Sequence, residues 1–186
     1  MQITHSFDVA RPLPAVWDQF QDVPSVAQCL PGATLEESKG GGVYEGKISV
    51  KLGPISATFE GEAKISADPA NHTALIDGKG VDRRGGSRGQ VKVNYALTEK
   101  EAAATHVRID ADISLAGPAA QFGRTGLINE MSRRLISDFV GCLEQKMAAP
   151  SEEAAASIEA GEVKPFRLFW SSLVSWLRSL FGKKSS

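Results

Sequence analysis

Ile55-Ser56-Ala57-Thr58-Phe59-Glu60-Gly61-Glu62-Ala63-Lys64-Ile65-Ser66-Ala67 alternates apolar or small residues with polar ones, unbroken from end to end. A period of two puts every second side chain on one face of a β-strand. The flanking segments read the same way. Upstream, Val43–Leu52 sets Ile48, Val50 and Leu52 against Lys47, Ser49 and Lys51, and Gly53-Pro54 turns the chain between the two. Downstream, Asp68-Pro69-Ala70-Asn71 leads into His72–Arg84, and Arg84-Gly85-Gly86-Ser87 into Ser87–Glu99. That later strand has Val91, Val93, Tyr95 and Leu97 on its inner face, and Thr105–Ala116 follows with Val107, Ile109, Ala111, Ile113 and Leu115. Strands joined by such short turns pair antiparallel with their neighbours in a meander.

Residues 2–10 form a further strand, with Ile3, His5, Phe7 and Val9 on one face. Arg11-Pro12-Leu13-Pro14 breaks it and starts a short helix through Phe20; a second covers Pro24–Gln28. Cys29-Leu30-Pro31-Gly32-Ala33 then turns into a strand over Ala33–Lys39, which ends at three glycines. At the far end Gly117-Pro118 closes the sheet and opens a long helix to about Met147, its apolar stripe being Ile128, Met131, Leu135, Phe139, Cys142 and Leu143. The predicted fold is α+β: a curved antiparallel sheet of about seven strands around one long C-terminal helix. Small inner-face residues such as Ala57, Gly61, Ala63 and Ala111 leave room for a cavity between sheet and helix.

The C-terminus departs from this pattern. Residues 148–163 hold Ala, Pro, Ser, Gly and four Glu and read as a flexible linker. Residues 164–186 then place Phe166, Phe169, Trp170, Leu173, Leu177, Leu180 and Phe181 at helical spacing, with Trp176 beside them and Arg167 and Arg178 opposite. Lys183 and Lys184 follow Gly182 as a helix stop. A helix over 165–181 is roughly 25 Å long, shorter than a bilayer core of roughly 30 Å. Its aromatic face and basic flanks suit the membrane interface. The alternative is a helix docked on its own domain or on a partner protein. The tail carries three Lys and two Arg and no acid, so the chain's net charge of −1 leaves −6 on residues 1–163. An acidic body disfavours nucleic acid, while a basic tail favours anionic lipid. The start of the chain lacks a signal-peptide pattern, so the expected location is peripheral, on the cytoplasmic side of the cell membrane. Cys29 and Cys142 match neither a metal spacing nor a disulfide framework and read as buried thiols.

Four stretches resemble one family. They are Cys29–Ala33, Val50-Lys51-Leu52-Gly53-Pro54-Ile55, Gly80-Val81-Asp82-Arg83-Arg84-Gly85, and Gly117-Pro118-Ala119-Ala120-Gln121-Phe122-Gly123-Arg124. In this order residues 1–147 resemble the family of the carbon monoxide dehydrogenase G subunit, in the helix-grip or START-like superfamily. The resemblance implies an accessory protein that brings a molybdenum-containing CO dehydrogenase, or a related hydroxylase, to the membrane. It also implies an apolar ligand in the cavity, for which a respiratory quinone (menaquinone or ubiquinone) is expected, carried and not covalently bound.

His5, His72 and His106 fall on separate strands and form no metal-ligand cluster, and neither a nucleophile elbow nor a P-loop is present. The expectation is therefore a binding protein with no catalytic residue. Phe59, Tyr95, Phe122, Met131, Leu135 and Phe139 are the expected cavity lining, with core packing as the alternative for each. Tyr95 is singled out because a phenol can hydrogen-bond a quinone carbonyl. Arg83, Arg84 and Arg88, at a Gly-rich hairpin, are expected to dock the partner enzyme or to be a solvated tip. Two further readings remain open: a cyclase- or hydrolase-type enzyme acting on an apolar substrate, and a membrane scaffold without a ligand.

Overall fold

The computed structural model describes residues 1–52, 55–100, 103–124 and 127–159. The elements run β1 (Gln2–Val9), α1 (Leu13–Gln21), α2 (Val23–Gln28), β2 (Ala33–Gly40), β3 (Val43–Leu52), β4 (Ile55–Asp68), β5 (Thr73–Asp82), β6 (Ser87–Lys100), β7 (Ala104–Ala116), α3 (Leu127–Ala148) and α4 (Glu152–Ala156). All seven strands form one antiparallel sheet in the order β1-β7-β6-β5-β4-β3-β2. Each hairpin pairs with its sequence neighbour, and β1 closes onto β7. This is the meander that the alternation requires, gripped around α3.

The core fills one end of the concave face. Val16, Trp17 and Phe20 of α1 and Phe139, Cys142 and Leu143 of α3 pack with Val9, Tyr95, Leu97 and Val107 of the sheet. Trp17 and Phe20 tilt against Tyr95 at ring distances of 6.3 and 5.2 Å, and Phe20 meets Phe139 edge-on at 6.1 Å. Burying each such ring contributes about 1.5–3 kcal/mol.

Three expectations differ from the structure. The long helix does not begin at Pro118: Gly117–Arg124 is a 3-10 stretch, and α3 starts at Leu127. Pro118 has no N–H, and the Ala119 N–H is spent on Ser87 Oγ (3.0 Å), which stitches the β5–β6 hairpin to the segment entering α3. The cysteines are buried, as expected, but they are not thiols. Cys29, at the C-terminus of α2, is disulfide-bonded to Cys142 of α3, with Cα atoms 5.4 Å apart across a sequence separation of 113. Spacing along the chain carries no trace of that juxtaposition.

The third difference concerns the segment after α3, which is docked as far as the structure describes it. Ser151 caps α4 by accepting from the Ala154 N–H, and Ile158 packs against the core. Lys146, which is 4% exposed, donates to Gln28 Oε1 (2.6 Å) and to the Ala155 carbonyl (3.0 Å), so one ammonium ties α2, α3 and α4 together. Burial holds its pKa below the usual lysine range, against the opposing pull of Asp22 and Glu159. A free tether beginning at residue 148 is therefore not what the chain forms there. The remainder of the linker and the predicted tail helix lie outside the described residues.

Candidate functional site

Strand register lays out the concave face in rows. Gly46, Gly61, Gly80 and Gly89 stand side by side on four adjacent strands, with Leu115 next on β7. One row over come Tyr44, Ala63, Gly78, Val91 and Ile113, then Ile65, Ile76, Val93, Ala111 and Ile3. The residues here are small because the backbones crowd together. A Cβ on Gly61 would sit 1.9 Å from the Lys79 carbonyl oxygen, an approach that only glycine admits. A Cβ on Gly89 would instead meet the Phe59 ring and Leu115 Cδ2 at ordinary contact, 3.5 Å. The Phe59 ring therefore lies over the glycine row, in space that side chains from β6 leave empty.

Among the helix–sheet pairs α3 packs chiefly against β1, α1 and the 3-10 stretch against β6 and β7, and α2 against β2. Phe59, Val91, Val93, Ile113 and Leu115 on the strands, and Met131 and Leu135 on α3, are half-buried. These half-buried apolar residues of the concave face form the candidate ligand surface, here called the bay.

The expected lining residues divide. Phe59, Met131 and Leu135 are half-buried, and the Phe59 ring lies in the bay beside the glycine row. Tyr95 and Phe139 belong to the buried core, where Phe139 also meets Phe7 edge-on at 6.4 Å. The Tyr95 hydroxyl accepts from Gln21 Nε2 at 3.4 Å, and burial pushes the phenol above its ordinary pKa, with that hydrogen bond opposing. Tyr95 is thus held between α1 and the sheet, away from the bay. Phe122 lies in the 3-10 stretch, and its side chain is outside what the structure describes. Sequence reasoning missed Tyr44 and Ser132. Tyr44 joins the bay through its register with Ala63. Ser132 of α3 donates to the Asn129 carbonyl (2.9 Å) and lies 3.0 Å from His5 Nε2, so the imidazole N–H donates to it and pins β1 to α3. The alternation of β3 could have revealed Tyr44, whereas nothing local announces the His5–Ser132 pair.

At the end of the sheet where α3 begins, the β5–β6 hairpin is rigid at its base and charged at its tip. Asp82, buried, accepts from the Arg84 and Gly85 N–H groups (3.1 and 3.0 Å). Arg83, Arg84 and Arg88 are exposed, and Arg83 Nε approaches Glu60 at 3.7 Å. The three arginines share this hairpin. A surface groove of about 380 Å³ lies on the opposite, convex face, among Ser66, Asp68, Thr73, Leu75, Asn94, Arg108 and Asp110. Arg108 and Asp110 are paired there at 2.8 Å, so the groove has little free charge. Among the described residues no three His, Cys, Asp or Glu side chains come together to hold a metal, and no helix is long and apolar enough to cross a membrane.

Solved structures share this architecture. A conserved protein from Geobacillus kaustophilus matches with a TM-score of 0.70 at 17% identity, over 80% of this chain and 95% of that one. The Zhui aromatase/cyclase from Streptomyces sp. R1128 matches at 0.56 and 18% identity, over 78% and 94%. A START superfamily protein from Mycobacterium smegmatis matches at 0.54 and 15% identity, over 77% and 97%. Identities this low show a common fold and nothing finer. No curated protein is similar enough to match. The sequence model of the carbon monoxide dehydrogenase G subunit (CoxG) matches residues 6–148, all but a few residues of the sheet and helices described above. With its seven-stranded sheet gripped around α3, the chain belongs to the carbon monoxide dehydrogenase G subunit (CoxG) family.

Proposed function

We propose that this protein is a non-enzymatic accessory factor that binds an apolar ligand, a respiratory quinone, in the bay and presents it to a molybdenum-containing CO dehydrogenase or related hydroxylase at the cytoplasmic face of the membrane. The observation that carries the reading is the set of half-buried apolar side chains on the concave face of a chain of this family. A quinone's isoprenoid tail is too apolar to leave a bilayer alone, and a bay lined by Phe59, Val91, Met131 and Leu135 offers it comparable surroundings. The 164–186 segment supplies the membrane contact in this reading, through Phe166, Phe169, Trp170, Leu173, Trp176, Leu177, Leu180 and Phe181 with Arg167, Arg178, Lys183 and Lys184.

The layout supports a division of labour. The arginine hairpin stands at the start of α3, and α4 stands at its end. The 22 residues of α3 separate them by about 33 Å at 1.5 Å per residue. A protein held to lipid beyond α4 would offer Arg83, Arg84 and Arg88 outward, to an acidic surface on the enzyme.

The test is solvent extraction of the full-length protein purified from membranes, followed by mass spectrometry for quinones. A stoichiometric quinone is expected, and recovery of none overturns the ligand reading. Deleting residues 164–186 should move the protein from the membrane pellet to the supernatant. Charge reversal at Arg83 and Arg84 should abolish co-purification of the dehydrogenase while leaving the bound quinone in place.

A further inference from the structure

The chain's two cysteines are joined at a place that α2, α3 and α4 share. We propose that this bridge is a site of thiol–disulfide exchange and that α4 is the strap that guards it. Docked, α4 keeps a dithiol reductant out; released, it lets one in.

The contacts put α4 at the joint. Cys29 directly follows Gln28, the last residue of α2, and Cys142 and Lys146 stand one turn apart on the same side of α3. The Cys29–Cys142 bond and the Lys146–Gln28 hydrogen bond are therefore consecutive ties between α2 and α3. The Ala155 carbonyl of α4 is fastened to the second tie by the same Lys146 ammonium. Ile158 packs against the buried cluster that contains both half-cystines. That carbonyl also accepts from the Ile158 N–H (3.1 Å), so the polar and the apolar fastening move together.

The strap is weaker than the joint beneath it. α4 has five residues, none of them buried, and is held by the Ser151 cap, one ammonium and one isoleucine. So short a helix does not persist without its docking contacts. Cys29, Cys142 and Leu143 belong instead to the core that α1, α3 and the sheet build together. Opening of α4 alone therefore needs less free energy than opening of the core.

Exchange begins when a thiolate of the reductant reaches one of the two sulfurs. It displaces the other half-cystine as a thiolate and forms a mixed disulfide, which the reductant's second thiol resolves. The bridge gains two electrons and two protons, and the dithiol leaves as its own disulfide. At the cytoplasmic placement proposed above, where dithiols are kept reduced, a guarded bridge survives and an unguarded one does not. A partner that lifts α4 off the joint thereby also opens the bridge.

The experiment follows thiol release from the purified full-length chain in dithiothreitol, by alkylation and mass spectrometry, with hydrogen exchange across 150–159 measured on the unreduced protein. Ile158→Ser and Lys146→Met should each speed reduction at least about tenfold and speed that exchange in parallel. Gly61→Ala, which sets β4 against the Lys79 carbonyl and leaves the joint untouched, should change the reduction rate by no more than about twofold. Two free thiols in unreduced protein overturn the proposal, as do α4 variants that are reduced no faster than the wild type. Gly61→Ala matching the α4 variants also overturns it, because the sulfurs are then reached through global unfolding. The rates are read on purified protein, so a failure of the cytoplasmic placement leaves them standing.

Discussion

Opening the Cys29–Cys142 bridge by reduction should weaken the fold more than any single surface change. The bridge closes a loop with a sequence separation of 113, joining the end of α2 to the C-terminal end of the core-facing stripe of α3. Loop-closure entropy for that length corresponds to about 4.8 kcal/mol at 25 °C in the chain-entropy model. Both half-cystines are buried, at 0% and 4% exposure, so the reduced thiols stay packed and little packing energy changes with the bond. With a urea m-value of about 2 kcal/mol/M, the midpoint should fall by about 2.4 M. The assay is urea unfolding followed by circular dichroism, with and without a phosphine reductant, alongside thiol counting in the unfolded chain. Two free thiols in unreduced protein would show that the bridge does not form. A bridge present with coincident midpoints would refute the entropic reasoning. Disulfides persist mainly in oxidising compartments, so alkylation trapping in intact cells also tests the cytoplasmic placement.

Other outcomes follow from particular contacts. Gly61→Ala should cost more than about 2 kcal/mol, because its Cβ meets the Lys79 carbonyl, whereas Gly89→Ala, in ordinary contact with Phe59 and Leu115, should stay within about 1 kcal/mol of the parent in urea unfolding. Lys146→Met should raise hydrogen exchange across Ala154–Ile158 by removing the donor to the Ala155 carbonyl. Because burial lowers the Lys146 pKa, the unfolded chain binds that proton more tightly, so the wild type should gain on Lys146→Met as pH climbs toward about 10.4. Asp8 is held below the usual carboxylate range by hydrogen bonds from Lys100 and then His106. Its stabilisation is present above the ordinary Asp pKa of about 3.9 and lost as pH falls through the lower folded value, so Asp8→Asn should flatten that part of an acid-unfolding curve.

Alternation and turn residues determined the strands, their order and the α+β class, because side-chain period and short connections leave an antiparallel meander few alternatives. The apolar stripe of α3, the exposed hairpin arginines and the family resemblance were legible in the same way, since each is written within a few consecutive residues. Tertiary structure alone decided what lies between distant positions. It brought Cys29 to Cys142, set Lys146 between α2 and α4, and paired His5 with Ser132. It placed four glycines in register across β3–β6 of the concave face. It also separated Tyr95 and Phe139, which the core buries, from Phe59, Met131 and Leu135, which stay half-buried. Local sequence reports which face a side chain takes, but whether that face is packed or left open depends on where the helices come to rest over the sheet.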